Sequence, residues 1–409
     1  MQYCFILGHN PTLSIIEILN VFLLFKIDVQ IISFSEEVLL LNVANLFPLD
    51  NFFSRLGGTI KIGEIKKDYE NFDKIDINEI LELLNIQKNK KVYFGLSLYN
   101  LGTAIPFNIK ADIKMLAIKI KRKLQEQGLK ARWVISQEKN LSSVVVEKNK
   151  LIDQGAEILI LIEKNKIYLG KTLIVQEFEK YSQRDFNRPF REIQKGMIPP
   201  KLAQIMINLG QIKKDWVVLD PFCGSGTVLQ EAILMKYKNI IGSDLDLNSV
   251  KITTKNLEWL FEKFKIKSAK CKVEISQCNA MNLSKKIQLN SIDAIISEPY
   301  LGPMKNNRNI QKTIQELSEL YLKSFEEFKK ILKKEGVIVI IFPVFVYFKN
   351  ELLFLPILEQ IKKIGWKIDL ELPAELFKKS IIKITPRNSI IYSRLDQRVL
   401  REIFIFRKV

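Results

Sequence analysis

The stretch with the clearest chemical meaning is a glycine-rich turn, Asp220–Thr227, which directly follows an apolar segment. Gly224 and Gly226 carry no Cβ, so the backbone there can adopt positive φ and approach a ligand closely. The next apolar segment ends near Asp244, at the spacing at which α/β nucleotide-binding folds place the carboxylate that accepts from ribose hydroxyls. The turn lacks the GxGxxG pattern and no Lys follows Gly226, so adenosine binding is predicted rather than a dinucleotide or a phosphate loop.

A second short segment, Ser297–Tyr300, ends another apolar strand, reads Ser-Glu-Pro-Tyr and resembles the catalytic motif of enzymes that modify exocyclic amines of bases. An exocyclic amine of a base is a weak nucleophile because its lone pair is delocalised into the ring. An enzyme that acts on it must therefore accept its N–H hydrogens as the nitrogen becomes tetrahedral. The carbonyls beside Pro299 and one side chain, Ser297 or Glu298, are the predicted acceptors, and Tyr300 is predicted to stack on an extruded base.

These two segments resemble motif I and the [D/N]PPY motif IV of S-adenosylmethionine-dependent methyltransferases that modify exocyclic amines. The resemblance implies S-adenosylmethionine as cofactor and Ser297, Glu298, Pro299 and Tyr300 as the catalytic segment. It implies that the cofactor is bound by Asp220, Pro221, Phe222, Gly224, Gly226, Thr227, Asp244, Leu245, Asn279 and Ala280.

The chain departs from the family pattern at three positions. Ser297 occupies the position of the usual motif IV acid, and Glu298 that of the usual first proline. The acceptor is therefore open between these two residues, and we favour Glu298. Asn279 replaces the commoner acid beside the adenine, where an amide can both donate and accept hydrogen bonds.

Composition limits the classes of protein to consider. The 409 residues carry a formal net charge of +18, which favours a partner rich in phosphates, most simply a nucleic acid, although a lysine-rich surface can also serve solubility alone. No apolar run is long enough to cross a bilayer, and no basic leader opens the chain, so a cytoplasmic location is expected. The four cysteines form no CxxC pair and His9 is the one histidine, so neither a metal site nor histidine acid/base catalysis is expected.

The apolar pattern divides the α/β chain into successive blocks. We predict small α/β modules over 1–60 and 61–180, a linker over 181–200, and a strand–helix alternation over 201–409. That alternation predicts a parallel sheet with crossover helices, and it includes a helix over 351–364. A final antiparallel pair of strands is expected to form the edge of a seven-stranded sheet.

The block 61–180 resembles the THUMP domain of RNA-modifying enzymes, and the resemblance is carried by the runs 141–149 and 170–176. The runs 181–189 and 196–203 resemble the segment that joins the THUMP domain to the catalytic domain in these enzymes. The resemblance implies a ferredoxin-like module, a THUMP module and a Rossmann-like methyltransferase domain, in that order. A predicted helix over 109–127 has an apolar face surrounded by cations. RNA contacts are predicted for Lys114, Lys121, Arg122, Lys123 and Arg188, although a solvated helix face would explain the helix cations equally well.

Over nearly its whole length the chain resembles the THUMP-domain tRNA guanine-N2 methyltransferases that act at position 10. The alternatives are guanine-N2 methylation elsewhere in tRNA or in ribosomal RNA, adenine-N6 methylation of DNA, and an RNA-binding protein without turnover. The number of methyl groups added, the need for a small activator protein and the oligomeric state stay open.

Overall fold

The structure is a computed structural model that describes residues 1–87, 90–102, 109–164, 166–191, 197–303, 309–348, 351–394 and 397–409. The chain divides into two compact units. The first comprises 1–54 and 58–179, and the second comprises 55–57 and 180–409.

The first unit is built on one mixed sheet of eight strands in the order β2-β3-β1-β4-β8-β7-β5-β6. Neighbouring strands are antiparallel except for β5, which is parallel to both β7 and β6. The strands are β1 (Gln2–Leu7), β2 (Val29–Phe34), β3 (Val38–Val43), β4 (Thr59–Tyr69), β5 (Val92–Asn100), β6 (Ala131–Val134), β7 (Gly155–Glu163) and β8 (Lys166–Val175). The predicted modules 1–60 and 61–180 therefore share a sheet, because β4 pairs with β1 on one side and β8 on the other.

Helices pack on this sheet through apolar stripes. They are α1 (Pro11–Phe25), α2 (Leu49–Phe53), α3 (Ile77–Leu83), α4 (Ile109–Glu126) and α5 (Ser143–Lys148), and a short 3-10 turn covers Phe72–Lys74. In α4 the buried side chains include Leu116, Ile120 and Leu124, which recur at the three- to four-residue spacing of a helix face. The predicted helix 109–127 is thus present and amphipathic.

The second unit is built on a sheet whose main path has the strand order β11-β10-β9-β12-β13-β17-β15. Its strands are β9 (Val217–Asp220), β10 (Asn239–Asp244), β11 (Lys272–Gln277), β12 (Ile292–Ser297), β13 (Leu332–Val346), β14 (Leu352–Phe354), β15 (Trp366–Ile368), β16 (Ile390–Tyr392) and β17 (Val399–Lys408). The five strands from β11 to β13 along this path are parallel, and β17 is antiparallel to its neighbours. The strand order reverses direction between β9 and β12, which is where open α/β sheets bind ligands.

The helices of this unit are α6 (Phe178–Phe186), which starts just before the boundary between the units, α7 (Pro200–Leu209), α8 (Thr227–Leu234), α9 (Leu247–Lys263), α10 (Ile310–Ile331) and α11 (Leu358–Ile364). Short 3-10 turns lie at Ser268–Lys270, Ala280–Lys285 and Ala374–Lys378. Between α10 and the sheet, Phe325 contacts Phe342, Trp366 and Phe406 with their rings edge-on, in a core where all four are buried.

Two sequence predictions for this unit need correction. Residues Leu352–Phe354 of the predicted helix 351–364 form β14 instead, because this apolar triplet pairs antiparallel with Val344–Val346, and the helix starts only after Pro356. The final antiparallel pair, β16 with β17, is present but does not form the sheet edge, since β17 lies between β13 and β15. The length and burial of β17 suit an inner strand.

Among the residues that the structure describes, no helix is long and apolar enough to cross a membrane. Within the same ranges, no group of three or more His, Cys, Asp and Glu side chains is arranged to hold a metal ion.

Candidate functional site

A cavity of about 1260 Å³ opens at the carboxyl ends of the parallel strands of the second unit. Its wall combines the glycine-rich turn after β9, the ends of β10 and β11, the segment after β12, and the start of β17. The predicted residues that line it are Asp220, Pro221, Phe222, Gly224, Thr227, Asp244, Leu245, Asn279, Ala280, Glu298, Pro299 and Tyr300. Two predicted residues, Gly226 and Ser297, lie behind the wall rather than on it.

The turn after β9 has the backbone conformation that its glycines predict. Gly224 has φ of 49° and Gly226 has φ of 83°, both in the left-handed region. A Cβ on Gly226 would lie 3.0 Å from the side chain of Thr253, so α9 approaches this turn too closely for a larger residue. The Thr253 hydroxyl donates to the carbonyl of Gly224 at 2.6 Å, which links the turn to α9.

The carboxylate of Asp244 is organised by backbone donors at the end of β10. Its Oδ2 accepts from the N–H of Gly224 at 3.0 Å, and its Oδ1 accepts from the N–H of Asp246 at 2.9 Å. Each carboxylate oxygen can accept a further hydrogen bond. The side chain is therefore oriented by the protein and still able to accept from a ligand hydroxyl in the cavity.

Asn279 and Ala280 follow β11 on the same edge of the sheet. The Oδ1 atom of Asn279 caps the 3-10 turn that follows by accepting from the N–H of Met281 at 2.9 Å. Ala280 is buried, and Leu245 on the neighbouring strand end is exposed. This part of the wall therefore offers a small apolar surface between polar edges, which suits a flat heterocycle.

The segment after β12 presents Glu298 and Tyr300 to the cavity. The Glu298 carboxylate forms an ion pair with Arg401 of β17, with Oε1 2.5 Å from Nε, and both side chains are about one tenth exposed. The carbonyl of Tyr300 accepts from the hydroxyl of the buried Tyr321 at 3.0 Å, while the Tyr300 ring is 56% exposed. The carboxylate is thus held in place and the ring is free to contact a planar ligand.

Ser297 is oriented away from this chemistry. It is fully buried, and its hydroxyl donates to Oδ1 of Asp220 at 2.6 Å. Burial raises the pKa of Asp220 to about 7, and the nearby carboxylates of Asp244 and Glu298 act in the same direction, against the hydrogen bond from Ser297. Of the two side chains left open as acceptors, Glu298 is the one that lines the cavity.

The predicted RNA contacts fall into two groups. Lys114, Lys121 and Arg122 are exposed on α4 and Lys123 is partly exposed, while Arg122 lies 3.0 Å from Glu126 in an ion pair. Arg188 needs correction, because it is only 3% exposed and its Nη1 donates to the hydroxyl of Thr227 at 2.7 Å. It stabilises the start of α8 and has no access to phosphate in the solvent.

Sequence reasoning missed two parts of the wall, one just before α7 and one in the C-terminal region. The missed lining residues include Met197, Ile198, Arg394, Gln397, Arg398 and Arg401. No local pattern connects Arg401 with Glu298, which is distant in sequence. The Arg-rich run 394–401 is a signal that could have been noted as a possible anion contact.

The strand order and the cavity at the carboxyl ends of the strands define a Rossmann-like methyltransferase domain. The crystal structure of TrmN from Thermus thermophilus superposes with a TM-score of 0.55 over 100% of both chains at 13% identity, which supports the fold. A family model described as UPF0020, RMKL-like, methyltransferase domain, matches residues 188–352, and one described as N6_N4_Mtase, DNA methylase, matches residues 64–255.

Sequence relatives give the family. The tRNA (guanine(10)-N2)-dimethyltransferase of Methanocaldococcus jannaschii is 27% identical over 51% of this chain and 60% of its own length. A protein of Methanothermococcus thermolithotrophicus, named a probable tRNA (guanine(10)-N2)-dimethyltransferase, is 31% identical over 34% of this chain and 77% of its own length. The chain belongs to the family of tRNA guanine-N2 methyltransferases. It matches about three fifths of the length of the Methanocaldococcus relative.

Proposed function

We propose that this protein transfers a methyl group from S-adenosylmethionine to the exocyclic N2 amine of a guanosine in tRNA. The observation that carries the proposal is that Glu298 and Tyr300 line the same cavity as Asp244 and Asn279, the residues predicted to bind the adenosine part of the cofactor. A site for the methyl donor and a site for an amine acceptor would then share one cavity.

The cavity wall fits the proposed cofactor. Asp244 is oriented to accept from ribose hydroxyls, and Asn279 beside Ala280 suits an adenine edge and face. Gly224 lines the cavity with positive φ, so the backbone of the turn can approach the cofactor closely. When bound, S-adenosylmethionine supplies an electrophilic methyl group on a sulfonium.

The residues after β12 would prepare the amine. Glu298, oriented by Arg401, would accept an N–H hydrogen of the guanine amine and so direct the nitrogen lone pair toward the methyl group. The carbonyl next to Pro299 is the second predicted acceptor, and Tyr300 would stack on the extruded base. Methyl transfer would form a C–N bond as the S–C bond of the cofactor breaks, and Glu298 or water would take the surplus proton from nitrogen. No strong base is required, because the methylated cationic amine is acidic.

The substrate assignment rests on relatives. The names of both relatives describe dimethylation of guanine 10 of tRNA at N2. They support position 10 as the first target to test and two successive methyl transfers as the expected outcome. We propose that the first unit contributes tRNA binding in the manner of a THUMP module, through cations of α4 such as Lys114 and Lys121. A small activator protein is a further proposed partner.

The test is transfer of labelled methyl from S-adenosylmethionine to unmodified tRNA transcripts, followed by nucleoside analysis. We expect N2-methylated guanosine that disappears when G10 is replaced. Methylation that survives the replacement would move the target to another guanosine, and methyladenine in a matched DNA substrate would favour the DNA methylase alternative, to which the second family model gives some support. No transfer to RNA or DNA, with or without cell extract as a source of an activator, would overturn the proposal.

Cofactor affinity should depend on pH through Asp220. Its pKa is raised by burial to about 7, so the folded protein holds this carboxyl protonated below that pH and ionised above it. S-adenosylmethionine carries a net positive charge, so its affinity should rise as pH increases through about 7. Calorimetric titration at several pH values would measure this dependence, and Asp220→Asn should flatten it. An unchanged profile in that variant would exclude Asp220 as the titrating group.

Arg401 should act as a positioning residue for Glu298. We expect Arg401→Ala to lower kcat for methyl transfer about ten- to one-hundred-fold with little change in cofactor affinity, because the carboxylate loses its fixed orientation. Arg401→Lys should lose less. Arg407→Ala is the matched control, since it breaks an ion pair with Asp369 at the far end of the same strand.

A purely structural role for Arg401 is tested by combining it with a change at Glu298. In a Glu298→Gln background, Arg401→Ala should cause no further loss of kcat, because the group that it orients is already changed. Additive losses in the double variant would contradict the positioning role.

A further inference from the structure

Beside the cavity lies a group of exposed side chains that the proposed chemistry does not use. Arg394 and Arg398, which lie in the chain between β16 and β17, are exposed and line the cavity, so they form part of its rim. Within the described residues neither arginine forms an ion pair, and Nε of Arg394 donates to the hydroxyl of Tyr392 at 3.1 Å. The rim therefore presents two exposed positively charged side chains at the entrance.

The neighbouring turn adds aromatic surface. The N–H of Val346, at the end of β13, donates to the carbonyl of Arg398 at 2.8 Å, so the turn that follows β13 lies next to this arginine. Tyr347 and Phe348 in that turn are 52% and 72% exposed. The N–H of Tyr347 donates to the carbonyl of Glu351 at 2.8 Å, which anchors the backbone of this exposed tyrosine.

Arginines on one segment beside exposed aromatic rings on its neighbour are a combination that binds single-stranded nucleic acid, since cations contact phosphates and rings stack on bases. A base that enters the cavity brings its own flanking phosphates to the entrance. The rim is thus positive where a bound nucleotide strand is negative. An acidic protein surface would match the charges but would leave the two adjacent rings without planar partners.

We propose that this rim, defined as Arg394, Arg398, Tyr347 and Phe348, binds the nucleotides that flank the target guanosine. This proposal rests on the proposed function only for the identity of the RNA as tRNA. The arginines contact the backbone phosphates on either side of the extruded nucleotide, and Tyr347 stacks on a neighbouring base. The rim therefore holds the strand open while Glu298 and Tyr300 act on the base.

The test measures binding of a labelled, unmodified tRNA transcript to the full chain at a series of salt concentrations, in the presence of S-adenosylhomocysteine. Arg394→Ala with Arg398→Ala should weaken binding about ten-fold or more and reduce the salt slope by about two, one for each lost phosphate contact. Tyr347→Ala should weaken binding about ten-fold without changing the slope, whereas Tyr347→Phe should bind normally because it keeps the ring.

Lys238→Ala with Lys272→Ala is the control, because both lysines are exposed at the amino ends of β10 and β11, at the opposite edge of the same sheet from the cavity. A rim variant with the same Kd and salt slope as this control would overturn the inference, even if the wild-type protein methylates tRNA. Conversely, a wild-type protein that binds RNA through the rim but transfers no methyl group would leave the inference standing and reject the proposed function.

Discussion

Glu298→Gln should reduce methyl transfer to tRNA by about one-hundred- to one-thousand-fold while S-adenosylmethionine binds as in the wild type. The neutral amide keeps the shape of the side chain, but it no longer offers two anionic oxygens to the amine as positive charge develops on nitrogen. It also replaces the ion pair with Arg401 that orients the group by a weaker neutral hydrogen bond. Single-turnover rates with saturating cofactor, together with calorimetric binding, would separate the chemical step from cofactor affinity.

Asp293→Asn is the matched control for this change. Asp293 lies near the amino end of the same strand, β12, where its carboxylate forms an ion pair with Lys333 at 2.8 Å, far from the cavity edge. It should cost stability without lowering kcat. Near-normal turnover of Glu298→Gln would reject the assigned role and move attention to the backbone carbonyls after β12.

The second large effect is expected at Asp244. Asp244→Asn should weaken S-adenosylmethionine binding about ten- to one-hundred-fold, the equivalent of losing a hydrogen bond to a charged group, about 1.5–3 kcal/mol. The amide also faces two backbone N–H donors, from Gly224 and Asp246, and can accept from them with only one oxygen. The glycine turn should therefore be less well ordered.

Calorimetric titration would measure the affinity, and thermal unfolding without cofactor would report any loss of fold. Asp215→Asn, in the turn before β9, removes a carboxylate from the other end of the sheet and should leave the affinity unchanged. Together, Asp244→Asn and Glu298→Gln distinguish binding from chemistry, since the first should raise the dissociation constant and the second should lower the rate. Equal cofactor affinity in Asp244→Asn and wild type would reject the assignment of Asp244 to the ribose.

Several features could be predicted from local sequence because their causes are local. A turn with two glycines between an apolar strand and a helix restricts the backbone whatever surrounds it, and Gly224 and Gly226 have the positive φ predicted for them. The alternation of apolar strands and helices likewise implies parallel strands, whose carboxyl ends must meet at one edge. Asp244, Asn279 and Glu298 therefore line one cavity although they are far apart in the chain.

Other features depend on partners that no local pattern reveals. Arg188 lies in an arginine-rich stretch that predicts an RNA contact, but its side chain is buried and its Nη1 donates to Thr227 at the start of α8. The apolar triplet Leu352–Phe354 could belong to a helix, and it becomes a strand because β13 extends far enough to pair with it. In both cases the decisive contact comes from a distant segment.

The sequence by itself determined the class of the catalytic domain, the position of the glycine turn and the carboxylates that end its strands. The strand–helix alternation and the turn follow from periodicity and from residue types whose conformational preferences are intrinsic, whereas the class follows from the resemblance of two motifs to a known family. Only the tertiary structure decided which motif IV side chain faces the cavity. Ser297 donates to Asp220 behind the wall, whereas Glu298 is held at the cavity by Arg401, a residue of the distant strand β17. The physical reason is that successive side chains at a strand end point in different directions, so sheet packing selects which of two adjacent polar groups is available to a ligand.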